Sequence, residues 1–231
     1  MSILSDLSDK TTYVFDFFHT LTDHESKRGN RPWTSDFLGI DREVWGEHLQ
    51  FFSEDRLKGT ITYAFDFMKL LVMRIDPTIS DDKIREALVF RQKRFDYSVI
   101  NIPSYVIETL KALKSKGKKL GLITNADYME LAAWDKCPIA DLFDVSIHSF
   151  RVGMMKPEKE IYELCLKELN SCPEESVFVA DGGSNELIGA RECRLTTIMV
   201  EGIVSEFMSK DKISKRKEYA EYVVDTIADI L

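Results

Sequence analysis

Five short runs that are apolar on consecutive positions, not on alternate ones, constrain this chain more than any other feature. They are residues 12–18 (TYVFDFF), 119–125 (KLGLITN), 144–150 (DVSIHSF), 176–181 (SVFVAD) and 195–201 (LTTIMVE). A strand that is apolar on both sides is buried on both faces, as in a parallel sheet sandwiched between helices. Helix-length segments lie between the later runs. Residues 102–115 set Val106, Ile107, Leu110 and Leu113 on one stripe, and residues 158–169 do the same with Ile161, Leu164, Cys165 and Leu169. This alternation predicts βαβ units with right-handed crossovers, and so an α/β, Rossmann-like core with a mainly parallel sheet and helices on both faces.

Residues 23–101 break the alternation. Segments 43–52, 60–73 and 82–94 carry helical spacing, and 60–73 is apolar nearly all round, which predicts the interior of a helical bundle. The expected organisation is a core of 1–22 and 102–231 with an α-helical cap, 23–101, inserted after the first strand. The 231 residues suit one domain carrying such an insertion. A composition of 44% hydrophobic and 30% charged residues excludes a disordered chain. The net charge of -8 argues against nucleic-acid binding. The start, MSILSDLSDK, lacks a signal peptide's apolar run, and no apolar stretch reaches the ~20 residues of a membrane span. The four cysteines form no C-x-x-C pair, so reduced thiols, a cytoplasmic setting and no zinc are expected. The basic run 210–217 reads as a solvated face.

Ligands of doubly wound sheets bind outside the carboxyl ends of the strands. The polar residues there are Asp16 to Thr20 after the first run, Thr124 and Asn125 ending the second, Lys156 following the third, and Asp181, Asn185 and Glu186 after the fourth. Asp16 in an apolar strand is costly to bury unpaired and points to a functional or metal partner. In the insertion, Arg28, Arg31, Trp33 and Arg56 are candidate contacts for an anion or a ring.

The segments VFDFFHTLTD, LGLITN, Lys156-Pro157 and VADGGSNELIGA resemble the haloacid dehalogenase-like (HAD) hydrolase superfamily, and the insertion resembles its helical-cap (C1) subgroup. The resemblance implies Asp16 as nucleophile with Thr20 and Lys156 in the catalytic set, and Thr124, Asn125 and His19 on the substrate side. It further implies Mg²⁺ held by Asp16, the Phe18 carbonyl and Asp181, with Asn185 and Glu186 supporting the ligands.

The first motif departs from the pattern. Most phosphatases of the family carry a second aspartate where this chain has Phe18, and a glycine where it has His19. Phenylalanine transfers no proton. Three readings follow: a Mg²⁺-dependent phosphatase or phosphoryl-transfer enzyme on a small phosphorylated metabolite, a metal-free 2-haloacid dehalogenase, or a catalytically silent ligand-binding or regulatory protein. Asp181 and Glu186 favour the first, because carboxylates beside Asp16 need a cation. The expected partner is a small molecule, with neither nucleic acid nor membrane, and the expected state is a monomer or homodimer.

Overall fold

The computed structural model describes residues 7–23 and 32–231; Arg28 and Arg31 lie outside them. Strand β1 (Thr12–Phe15) is followed by helices α1 (Thr34–Leu38), α2 (Arg42–Phe51), α3 (Ser53–Leu57), α4 (Ala64–Ile75) and α5 (Asp81–Ile100). The remainder alternates: α6 (Ser104–Ser115), β2 (Lys119–Thr124), β3 (Val145–His148), α7 (Ser149–Val152), α8 (Lys159–Glu168), β4 (Ser176–Ala180), α9 (Glu186–Glu192), β5 (Thr196–Val200), α10 (Gly202–Ser205), α11 (Lys210–Lys217) and β6 (Tyr222–Val224). All six strands are parallel, in the order β3-β2-β1-β4-β5-β6. β1 is central, and the order reverses across the β1/β4 pair, the switch point at which such sheets form a crevice.

Alternate side chains of each strand feed two separate cores, which explains the unbroken apolar runs. Tyr13, Phe15, Leu120, Leu122, Val177 and Val179 pack with Val106, Leu110 and Leu113 of α6. Val14, Ile123, Phe178 and Ala180 pack on the other face with α8 and α9 through Ile161, Tyr162, Leu187 and Ala190. The sixth strand, β6, is short and half exposed, so no apolar run announces it.

The inserted helices build a third core of Leu38, Trp45, Phe52, Phe67, Met68, Leu71, Val72, Ile84 and Ala87. The expectation for 60–73 is corrected here: α4 begins at Ala64, buries one face, and leaves Leu70 and Met73 exposed.

His148 ends β3 and is 3% exposed, its ring edge-on to Trp134 at 4.9 Å. Neither ring nitrogen has a hydrogen-bond partner. Burial, with a smaller contribution from the Arg151 charge, lowers its pKa to about 4. The unfolded chain therefore binds a proton at His148 that the folded chain refuses between pH 6.5 and 4, and stability falls as pH falls through that window. Chemical unfolding from pH 7 to pH 4 should show a loss of about 3 kcal/mol from this residue, and the His148→Gln variant should lack that part of the decline.

Candidate active site

The carboxyl ends of β1, β2 and β4 carry Asp16, Thr124 and Asp181 to one edge. The main chain of β1 runs on by one bond, Asp16 N–H donating to the Val179 carbonyl at 2.9 Å. The Asp16 carboxylate then turns into a buried polar pocket. Thr20 Oγ1 donates to Asp16 Oδ2 at 2.9 Å, and Lys156 Nζ donates to Oδ1 at 2.5 Å. The same ammonium donates to Glu186 Oε2 at 2.5 Å, and its side chain is 1% exposed. Burial opposes the charged form of Lys156, but Asp16 and Glu186 outweigh it and hold its pKa above the ordinary value.

Lys156 is positioned by its own backbone. Asn125 Nδ2 donates to the Lys156 carbonyl and Lys156 N–H donates to Asn125 Oδ1, both at 2.8 Å. Asn125, expected on the substrate side, thus uses both ends of its side chain to hold the lysine loop. Helix α9 closes on that loop at Gly189, where a Cβ would stand 2.5 Å from the Pro157 carbonyl oxygen. This helix starts at Glu186, whose Oε1 accepts from Gly182 N–H at 3.1 Å.

One oxygen from each of Asp16, Asp181 and Glu186 lies within 4.8 Å of the others. Burial, followed by the charge of Asp16, pushes Glu186 well above the usual carboxylate range. An all-carboxylate donor set suits a hard cation such as Mg²⁺. Glu186, expected as a support behind the ligands, stands in the same cluster, with its oxygens taken by Lys156 and by Gly182 N–H. Asp181 behaves oppositely. Burial alone would raise its pKa, but His19 and the Arg216 charge outweigh that and pull it far below the ordinary value.

Several expected residues take particular places. The Thr124 hydroxyl is fully buried and makes no hydrogen bond, an acceptor and donor awaiting a partner at the edge beside Asp16. His19 adopts φ +62, which accounts for the glycine usual there, and sets Nδ1 3.8 Å from Asp181 Oδ2 and its ring beside Phe207. Asn185 is also left-handed, at φ +55. Phe18 stacks edge-on against Phe17 at 5.0 Å and against Phe95 of α5 at 5.5 Å, tying the first motif to the inserted helices. A cavity of about 590 Å³ opens between the two parts, lined by Phe18, Asn125 and Lys156 on one side and by Trp33, Trp45 and Arg94 on the other.

Arg56, expected on the substrate side, is also paired within the fold. It lines the cavity, but its Nη1 donates to Asp127 at 2.8 Å and to Glu130 at 2.7 Å, and Arg91 of α5 reaches Glu130 at 2.6 Å. Its charge is therefore matched. Asp127 and Glu130 cap each other, Glu130 N–H donating to Asp127 Oδ1 and Asp127 N–H to Glu130 Oε2. The D-x-x-E spacing after β2 was the legible signal for this pair. The basic run 210–217 needs a correction: Arg216 points inward to Asp181.

The sequence profile of the haloacid dehalogenase-like hydrolase family matches residues 10–194. The chain is 26% identical over 197 residues to a glyceraldehyde 3-phosphate phosphatase of Methanocaldococcus jannaschii, covering 84% of this chain and 81% of that one. It is 36% identical over 120 residues to a bifunctional epoxide hydrolase 2 of Rattus norvegicus, covering 50% of this chain and only 21% of the relative. Two solved structures share the fold. A HAD family enzyme of Bacteroides thetaiotaomicron in complex with magnesium and inorganic phosphate matches at TM-score 0.61 and 20% identity, over 83% of this chain and 94% of that one. A dehalogenase matches at TM-score 0.66 and 17% identity, over 96% and 95%.

Replacing Glu130 by Gln leaves Arg56 and Arg91 buried opposite one carboxylate instead of two. Denaturant unfolding of the Glu130→Gln variant should show a loss of about 3 kcal/mol, because stripping one partner from a buried ion network strands the others.

Proposed function

Since the chain belongs to the haloacid dehalogenase-like hydrolase family, we propose that this hydrolase is a Mg²⁺-dependent phosphatase or phosphoryl-transfer enzyme acting in the cytoplasm on a small phosphorylated metabolite. The observation that carries the reading is the buried Asp16 carboxylate, held by Lys156 on one oxygen and by Thr20 on the other. A carboxylate so desolvated and aimed is a competent nucleophile.

Asp16 attacks phosphorus, forming an acyl phosphate as the ester P–O bond breaks and its electron pair leaves on the alcohol oxygen. Water then attacks the same phosphorus, releasing inorganic phosphate and returning the Asp16 carboxylate. Lys156 neutralises charge on Asp16 and on the transferring group, and the Thr124 hydroxyl hydrogen-bonds a phosphoryl oxygen. Asp16, Asp181 and the Phe18 carbonyl would hold Mg²⁺, which supplies further neutralisation of the phosphoryl oxygens when bound. The inserted helices act as the cap that closes over the substrate and excludes water.

Phe18 sets the selectivity of this chemistry. With no acid at that position the departing oxygen leaves unprotonated, so esters of acidic alcohols are favoured. The same residue supports a second reading, carbon attack on a 2-haloacid, because a halide needs no proton. The relatives named as phosphatases and the carboxylate cluster favour phosphorus.

Phosphate release from an aryl and an alkyl phosphate, each with Mg²⁺ and with EDTA, tests the reading. Aryl turnover should require Mg²⁺, vanish in Asp16→Asn, and exceed alkyl turnover by roughly 10²–10⁴, the usual contribution of general acid catalysis. Metal-independent halide release from a 2-haloacid without phosphate release would replace this reading with the second. Silence in both assays would point to a ligand-binding protein.

A further inference from the structure

Arg216 belongs to a run of exposed bases yet reaches the carboxylate cluster. Its Nη1 donates to the Asp181 carbonyl oxygen and to Asp181 Oδ2, each at 3.0 Å. Gly183 N–H donates to Oδ1 at 2.7 Å, so both carboxylate oxygens of Asp181 are already engaged. The approach is built into the fold. Ile213 anchors α11 in the core, and the Arg216 stem crosses Gly182 (φ +82), where a Cβ would lie 3.1 Å from Arg216 Cβ and 3.3 Å from its Cδ. The neighbouring bases do otherwise: Lys215 is exposed and Lys217 pairs with Glu201.

A guanidinium and a divalent cation on one carboxylate repel each other. Of the basic side chains at the cluster, Lys156 is enclosed and His19 Nδ1 stands 3.8 Å from Asp181 Oδ2, whereas Arg216, 3.0 Å from that oxygen, is 23% exposed and has solvent to move into. We propose, resting on the Mg²⁺ reading above, that Arg216 is a resident counter-ion of the cation seat: it neutralises Asp181 before the cation arrives, yields Oδ2 as the cation binds, and so weakens Mg²⁺ affinity. The positive charge at position 216 then sets the Mg²⁺ concentration at which the site fills.

Isothermal titration of Mg²⁺ into the full chain, without substrate, reads this directly. Arg216→Gln should bind Mg²⁺ roughly tenfold more tightly than the wild type. Arg216→Lys, which keeps the charge, should stay near the wild type. Lys215→Gln, the same change in net charge one residue away, should also stay near it. Unchanged or weaker binding by Arg216→Gln overturns the proposal, as does equal tightening by Lys215→Gln. If wild type and Arg216→Gln both bind but equally, the Mg²⁺ reading stands and only the role of Arg216 falls. If neither binds Mg²⁺, the cation seat itself fails and the proposal falls with it.

Discussion

The buried ammonium of Lys156, shared between Asp16 and Glu186 at 2.5 Å each, is the interaction on which the rest of the site depends. Three carboxylates in one enclosed space repel, and without a buried cation at least one would take up a proton. Lys156 offsets one of these charges and Arg216 a second, leaving the cluster one charge short of balance. A site with such a deficit draws a cation or a proton. The placement of the lysine is itself a product of the fold: the Asn125 amide clamps its backbone, and Gly189 lets α9 close on the following turn.

The same loop after β2 serves two purposes. Asn125 faces the lysine, while Asp127 and Glu130 face Arg56 and Arg91 of the inserted helices. Seating of the insertion and positioning of Lys156 therefore depend on six consecutive residues of chain. Phe18 adds a second, apolar tie through Phe95. The residue that removes a proton donor from the first motif thus gains a packing role between the two parts of the molecule, which sets its replacement by a polar residue against stability.

Much of this was legible in the chain. Consecutive apolar runs reveal a sheet buried on both faces because each side of such a strand meets a different core, as Val14 and Phe15 do. Asp16, Thr124 and Asp181 stand out because a polar residue at the end of an apolar strand has few structural reasons to be there. β6 was not legible, since an edge strand of three residues needs no apolar run. Segment 60–73 misled because composition counts apolar residues without saying which face they occupy; α4 exposes Leu70 and Met73.

Sequence by itself determined the strand pattern, the helical insertion and which polar residues stand at strand ends, because strand position and burial follow from local periodicity. Only the tertiary structure decided how the charges pair. Arg56 and Arg216 are each indistinguishable in sequence from any exposed arginine. The partners that define them, Glu130 and Asp181, lie 74 and 35 residues away. Charge pairing over such separations is set by where the cores bring the backbone together, which no local pattern encodes.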